Sequence, residues 1–131
     1  MKAFRVIRNV VVASVVTLGS GVSWAADWQP YTEAAFKDAK AKGQTVVVDF
    51  HADWCSTCKK QKPILESLLK QKEFENVIGL SADYDKEKAL KKELGIKKQS
   101  TVIVFKGAKE INRSTGTTSE TELRTQIAAG T

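Results

Sequence analysis

The only two cysteines of this 131-residue chain, Cys55 and Cys58, are separated by two residues. This spacing is suited to thiol and disulfide chemistry. They come shortly after the apolar, β-branched segment 45–50, where a predicted strand passes into a predicted helix. If a helix begins at Cys55, its free N–H groups and positive dipole end favour a thiolate there. The spacing also brings both sulfurs within bridging distance, so the pair can cycle between dithiol and disulfide.

A purely structural disulfide is the alternative for this pair. A bridge that encloses only two residues removes little chain entropy from the unfolded state, and it stabilises a fold by less than the ~3 kcal/mol expected of a fifteen-residue loop. The Cys-x-x-Cys pattern after a strand therefore indicates a redox pair or a ligand-binding pair.

The first 25 residues have the layout of a secretory signal peptide. Three basic residues lie among the first eight, residues 10–18 are apolar, and a Ser-x-Ala site ends at Ala25. A transmembrane anchor is the alternative, but the apolar run is shorter than the roughly 20 residues that span a bilayer. We therefore expect residues 1–25 to be removed and the protein to be periplasmic.

Cleavage after Ala25 leaves residues 26–131, which is the length of a single domain that can bury its own core. The whole chain has 21 basic and 15 acidic residues, and the predicted signal peptide contains three of the basic ones and no acidic one. The remaining net charge is small, and the lysines are dispersed without interleaved aromatic residues. This pattern indicates a solvated surface and no nucleic-acid partner.

The predicted order of elements is α, β, α, β, α, β, β, α. Helices are predicted over 31–42, from 55 to about 72, over 86–94 and from about 119, strands over 45–50, 77–82, 101–106 and 110–114, and a short extended piece over 28–31. The first strands along the chain are separated by helices, and the last two form a hairpin. This order indicates an α/β fold with a central mixed β-sheet flanked by helices on both faces.

These residues, in this order, resemble the thioredoxin superfamily over nearly all of 26–131. The matching segments are Val48-Asp49-Phe50, Trp54-Cys55-x-x-Cys58-Lys59, Pro63, Gly95-Ile96, Phe105-Lys106-Gly107 and Gly116. The lead-in Ala52-Asp53-Trp54-Cys55 looks most like exported members, including the C-terminal domain of the transmembrane disulfide-interchange reductase. The resemblance implies a monomeric thioredoxin-like oxidoreductase with no cofactor, which reduces protein disulfides and draws electrons from a membrane-bound reductase.

The resemblance also implies residue roles. Cys55, at an exposed helix tip, is the expected nucleophile, and Cys58 is the expected resolving thiol. Asp49 matches the family's buried acid, which accepts the proton of Cys58; the alternative is a residue at the strand end that reaches solvent. Trp54 is expected either to contact partners or to fill the core. Lys59 adds positive potential near the nucleophile.

One departure from the family lies in the segment Gln99-Ser100-Thr101, where Ser100 takes the place of a proline in a cis peptide. We expect a trans Gln99–Ser100 bond, because a cis bond before a non-proline residue costs ~3–4 kcal/mol. In the family this loop pairs with the backbone of the bound partner, so Ser100 and Thr101 bear on partner choice. The Ser100 hydroxyl could also hydrogen-bond a Cys55 thiolate. Restoring proline is expected to change partner selection more than stability.

The second departure is His51, the only histidine, which stands where many family members have an aromatic residue. It could serve as a proton donor, a thiolate partner, a metal ligand or a packing residue. With Cys55 and Cys58 it supplies three ligands, one fewer than a closed structural zinc site requires. Metal binding or delivery through these residues is therefore one alternative function, and a non-catalytic thioredoxin-like interaction module is another.

Overall fold

The computed structural model describes residues 28–131, so the predicted signal peptide lies outside the described residues. The elements in chain order are β1 (Trp28–Pro30), α1 (Glu33–Ala41), β2 (Thr45–His51), α2 (Ser56–Leu69), a 3-10 helix (Lys72–Phe74), β3 (Val77–Asp83), α3 (Lys88–Leu94), β4 (Thr101–Lys106), β5 (Lys109–Thr115) and α4 (Glu120–Ala128). This order confirms the predicted one, and the extended piece near residue 28 is a short strand.

The sheet has the strand order β1-β3-β2-β4-β5. The central strand β2 pairs in parallel with β3 and antiparallel with β4, and β4 and β5 form the predicted hairpin. Helix α2 forms the crossover between the parallel strands β2 and β3, and a tight turn joins the antiparallel strands β4 and β5. The expected α/β fold, a central mixed β-sheet flanked by helices on both faces, is confirmed.

Strand β2 is buried on both faces, and alternate side chains face different layers. Val46, Val48 and Phe50 pack in one cluster with Phe36 of α1 and Leu90 of α3. Val47, on the opposite face, packs in a second cluster with residues of α2 and α4, including Leu65, Leu68, Leu123 and Ile127. Since Asp49 and His51 follow Val47 at the strand period of two, they belong to the α2 side of the sheet.

The helix boundaries follow local capping chemistry. Thr32 and Ser119 accept hydrogen bonds from the backbone N–H groups of Ala35 and Glu122, which satisfies the first turns of α1 and α4. Helix α2 begins one residue later than predicted, because Cys55 has an extended backbone and acts as its N-cap. No helix within residues 28–131 combines the length and the apolar character that crossing a membrane requires.

Candidate active site

The dithiol lies at the N-terminus of α2, directly after β2. The sulfurs of Cys55 and Cys58 are at disulfide-bonding distance, and their Cα atoms are 5.3 Å apart. The backbone N–H of Cys58 donates a hydrogen bond of 3.1 Å to the Sγ atom of Cys55. This N–H is one of the free donors of the first helical turn, so the helix supplies a hydrogen bond and a positive dipole end to Cys55.

Both cysteines are buried, and the expectation of an exposed Cys55 is wrong. The exposed fractions are 3% for Cys55 and 4% for Cys58. Ala52 packs with the two cysteines in a small cluster, and the partly buried ring of Tyr84 packs against it. The sequence could not show this contact, because Tyr84 follows β3 and meets the dithiol only when the sheet has assembled.

Ser100 lies against both sulfurs. Its Oγ atom is 3.2 Å from Cys55 Sγ and 3.1 Å from Cys58 Sγ, and the residue is 3% exposed. The Gln99–Ser100 peptide is trans, as expected, but Ser100 has a φ of 61°, in the left-handed region that residues other than glycine rarely occupy. This backbone conformation accompanies the placement of the hydroxyl beside both sulfurs.

Thr101 stabilises the same loop, and its side-chain hydrogen bonds go to other residues than the two cysteines. Its hydroxyl donates to the carbonyl oxygen of Lys98 at 2.8 Å and lies 3.0 Å from the hydroxyl of Thr115. These bonds connect the start of β4 with the preceding loop and with β5. Thr101 therefore shapes the site through the backbone.

Asp49 is buried on the α2 side of the sheet, so the alternative of a strand-end residue in solvent is wrong. It is 4% exposed, and its Oδ1 atom has no hydrogen-bond partner among residues 28–131. Burial raises the pKa of Asp49 from 3.8 to about 7, and the positive charge of Lys62 partly opposes that rise. A carboxyl group with this pKa can gain and lose a proton near neutral pH.

A cavity of about 390 Å³ lies beside Asp49. Its lining includes Lys62 and Glu66 of α2 and His51 and Ser81 of the sheet. The positions of Lys62 and Glu66 are one and two turns beyond Cys58 on the same side of α2. Asp49 therefore faces the side of α2 on which Cys58 lies.

His51 contacts β3. Its Nδ1 atom and the hydroxyl of Ser81 form a hydrogen bond of 3.0 Å. Within residues 28–131, no three histidine, cysteine, aspartate or glutamate side chains form a group that could hold a metal ion. His51, Cys55 and Cys58 thus do not form the three-ligand site that the sequence suggested.

The rim of the site is formed by exposed residues. Trp54 is 61% exposed, which excludes plain core filling, and its Nε1 atom donates a hydrogen bond of 2.8 Å to Asp85 Oδ2. Lys59 is also exposed, and its backbone N–H donates to the carbonyl oxygen of Cys55. Both side chains are therefore exposed to solvent within one residue of a cysteine in the chain.

Gln61 is a site residue that the sequence analysis missed. It is fully buried, and its Nε2 atom donates to the carbonyl oxygens of Ser100 at 3.3 Å and Thr117 at 2.9 Å. A signal was present, because Gln61 is a polar residue on the same helical stripe as Cys58 and Leu65. A buried amide in such a stripe requires hydrogen-bond partners from another element.

The thioredoxin family model matches residues 27–129. Thioredoxin of Chlamydia muridarum is 37% identical over 81 residues, which cover 62% of this chain and 76% of that protein. Thioredoxin of Ictalurus punctatus is 36% identical over 88 residues, covering 67% and 80%. Among solved structures, Trxlp from Edwardsiella tarda aligns with a TM-score of 0.75 at 35% identity, covering 77% of this chain and 98% of that one.

Proposed function

The chain belongs to the thioredoxin family of protein-disulfide oxidoreductases, and from this premise we propose that it is an exported enzyme that reduces disulfide bonds of partner proteins. Thiol-disulfide exchange rests on the family and on the Cys55–Cys58 pair. Export, the direction of electron flow and the electron donor are the proposed parts.

The hydrogen bond from the Cys58 N–H to Cys55 Sγ is the observation that carries the mechanism. A thiolate accepts such a bond more strongly than a neutral thiol, so the helix N-terminus favours the ionised form of Cys55. Cys55 also directly follows the exposed Trp54 in the chain, although its own side chain is buried. Cys55 is therefore the attacking residue, and Cys58 resolves the intermediate.

The reaction proceeds in two exchange steps. The Cys55 thiolate attacks one sulfur of the partner disulfide, that S–S bond breaks, and the first partner thiolate leaves and takes up a proton. Cys58 then loses its proton and attacks Cys55 Sγ, which releases the second partner thiol and forms the Cys55–Cys58 disulfide. Two electrons and two protons pass from the dithiol to the partner.

Asp49 is the proposed acceptor of the Cys58 proton. Its carboxyl group is buried on the side of α2 on which Cys58 lies, and burial raises its pKa to about 7. A base of that pKa can take a proton from a thiol and return it to water near neutral pH. The adjoining cavity, which extends along Asp49 towards Lys62 and Glu66, provides space for that water.

Export is proposed from the layout of residues 1–25, which predicts cleavage after Ala25 and a periplasmic product. The Ala52-Asp53-Trp54-Cys55 lead-in supports a place among exported relatives such as the C-terminal domain of the transmembrane disulfide-interchange reductase. An exported reductant must receive electrons from the cytoplasm, and a membrane-bound reductase is the proposed donor. Fractionation and N-terminal sequencing of the full chain expressed in a Gram-negative bacterium test export; a product that stays in the cytoplasm with Met1 intact would refute it.

The proposed activity is tested by the rate at which the purified protein, with dithiothreitol as the electron source, reduces a disulfide-bonded protein substrate. The wild-type protein is expected to accelerate the reaction over dithiothreitol alone, and Cys55→Ser is expected to abolish the acceleration. A wild-type rate equal to that of Cys55→Ser would refute the function. The reduction potential of the dithiol decides the direction, with a value near that of thioredoxin, about −270 mV, expected for a reductant.

A further inference from the structure

The hydroxyl of Ser100 is nearly equidistant from the two sulfurs, at 3.2 Å from Cys55 Sγ and 3.1 Å from Cys58 Sγ. Both distances lie within the usual range for a hydrogen bond to sulfur, and a hydroxyl has one proton that rotates to suit its acceptor. Since Ser100 is 3% exposed, water competes little for that proton. The hydroxyl can therefore serve either sulfur without a movement of the backbone.

The position of Ser100 is fixed by three hydrogen bonds. Its N–H donates to the carbonyl oxygen of Phe50 at 2.7 Å, and its own carbonyl oxygen accepts from the N–H of Gly116 at 3.0 Å and from Gln61 Nε2 at 3.3 Å. A left-handed backbone at a residue other than glycine persists only when its surroundings determine it this strongly. Such strained residues are concentrated at active sites, which points to a use for the hydroxyl.

We propose that the Ser100 hydroxyl is a catalytic hydrogen-bond donor that stabilises the Cys55 thiolate before the first exchange step and the Cys58 thiolate before the second. This role rests on the proposed function, because it concerns the same two steps. A thiolate is a much stronger acceptor than a disulfide sulfur, so the bond favours the reduced, ionised forms over the disulfide. The proton stays on the Ser100 oxygen throughout, and no bond of Ser100 forms or breaks.

A lower thiol pKa has two opposing effects on the rate at which the thiol attacks a disulfide. Where the thiol pKa lies above the ambient pH, lowering it by one unit raises the thiolate fraction about tenfold but reduces the intrinsic nucleophilicity only about threefold, for a Brønsted slope of about 0.4–0.5. The larger thiolate fraction therefore prevails, and attack becomes about threefold faster per pKa unit. Ser100 thus accelerates both attacks under that condition.

Gln61 is the positioning residue for this hydroxyl. Its Nε2 atom donates to the carbonyl oxygens of Ser100 and Thr117 and to neither sulfur. These bonds connect the loop to helix α2, which carries Cys58. Loss of the amide donors would leave both carbonyl oxygens with one bond fewer and would loosen the Ser100 backbone. In this role Gln61 acts on the dithiol through Ser100.

The test compares Ser100→Ala with Ser100→Gly. Both remove the hydroxyl, but alanine keeps the strained backbone whereas glycine adopts a positive φ without strain. In the reduced protein both variants are expected to raise the Cys55 thiol pKa by about one to two units, the effect of losing a hydrogen bond to a charged group. The reduction potential is expected to become more negative, by about 30 mV for each tenfold change in the exchange equilibrium.

Thiolate ultraviolet absorbance against pH measures the pKa, and equilibration with glutathione measures the potential. The proposal is overturned if both variants keep the wild-type values, or if only Ser100→Ala changes, since strain and not the hydroxyl would then be responsible. These readouts require no partner protein, so they decide the role of Ser100 even if the disulfide-reduction assay fails. The charged groups near the dithiol, including Asp49, Asp53 and Lys59, are the same in every variant.

Gln61→Met tests the positioning role, because methionine fills similar space without the amide donors. The Cys55 pKa is expected to rise in Gln61→Met, and combining it with Ser100→Ala is expected to add nothing to the pKa of Ser100→Ala alone. A full additional rise in the double variant would show that Gln61 acts independently of Ser100 and would overturn its assigned role.

Discussion

The hydroxyl of Tyr84 donates a hydrogen bond of 3.0 Å to the carbonyl oxygen of Lys97, which joins the loop after β3 to the loop before β4 across the dithiol. The Lys91 ammonium lies 3.8 Å from the centre of the Tyr84 ring on its face. The same ring packs against the cluster of Ala52, Cys55 and Cys58. Tyr84 is therefore held at two points while it packs against the cluster that contains both sulfurs, and we expect its ring to limit access to them.

Replacing Tyr84 should uncover the sulfurs. Tyr84→Ala removes the covering ring and is expected to increase the rate at which iodoacetamide alkylates the reduced protein several-fold. Tyr84→Phe is the matched control, because it keeps the ring and loses only the hydrogen bond to Lys97. Its rate should lie between those of wild type and Tyr84→Ala. Equal alkylation rates in all three proteins would contradict a covering role.

Replacing Cys58 should trap the intermediate of the first exchange step. Cys58→Ser retains the Cys55 nucleophile but lacks the resolving thiol, so mixed disulfides with partner proteins are expected to accumulate through Cys55. Non-reducing gels and mass spectrometry of extracts from cells that express the variant would detect them. The control, Cys55→Ser, should yield far fewer adducts, and adducts that form equally in both variants would contradict the assignment of the nucleophile.

Asp49 should make stability depend on pH. Its pKa is about 7 in the folded protein and near 3.8 when exposed, so between these values the folded state binds the extra proton. The free energy of unfolding should therefore fall as pH rises from about 4 to about 7, by up to about 4 kcal/mol. Asp49→Asn should remove this decline and be more stable than wild type above pH 7. Urea unfolding at several pH values measures this pH dependence of the free energy of unfolding.

The control for the Asp49 experiment is Asp53→Asn, which changes an exposed carboxylate next to the site. It should retain the wild-type decline with pH. A decline that persists in Asp49→Asn and disappears in Asp53→Asn would mean that Asp49 is not the group responsible.

Introducing proline at position 100 should cost stability, whereas the sequence led us to expect a change in partner selection more than in stability. The Ser100 N–H binds the Phe50 carbonyl oxygen at 2.7 Å, and its φ is 61°. Proline has no N–H and holds φ near −65°, so Ser100→Pro should lower the free energy of unfolding by about 3 kcal/mol. Ser100→Gly keeps the N–H and tolerates the φ, so it should remain near wild type. Denaturant unfolding measures the free energy of unfolding of both variants. Equal values for Ser100→Pro and Ser100→Gly would contradict this prediction.

Much of the fold was predictable, because the relevant signals are local. The β-branched segment that forms β2, the caps at Thr32 and Ser119, and the left-handed Gly95 after α3 all act within a few residues of the chain. The boundary of α2 was less predictable, because the N-cap and first-turn positions of a helix share most sequence preferences. The packing of Tyr84 had no local signal, because it depends on how two distant loops meet.

The sequence by itself determined the chemistry of this protein: a Cys-x-x-Cys pair at a strand-to-helix junction supplies two sulfurs at bonding distance and a helix N-terminus to favour one of them as a thiolate. Only the tertiary structure decided the surroundings of that pair. It buried both sulfurs, placed the Ser100 hydroxyl beside them and directed His51 to Ser81. The physical reason is that backbone preferences act between neighbouring residues, whereas burial and hydrogen-bond partners depend on elements that meet only when the sheet assembles.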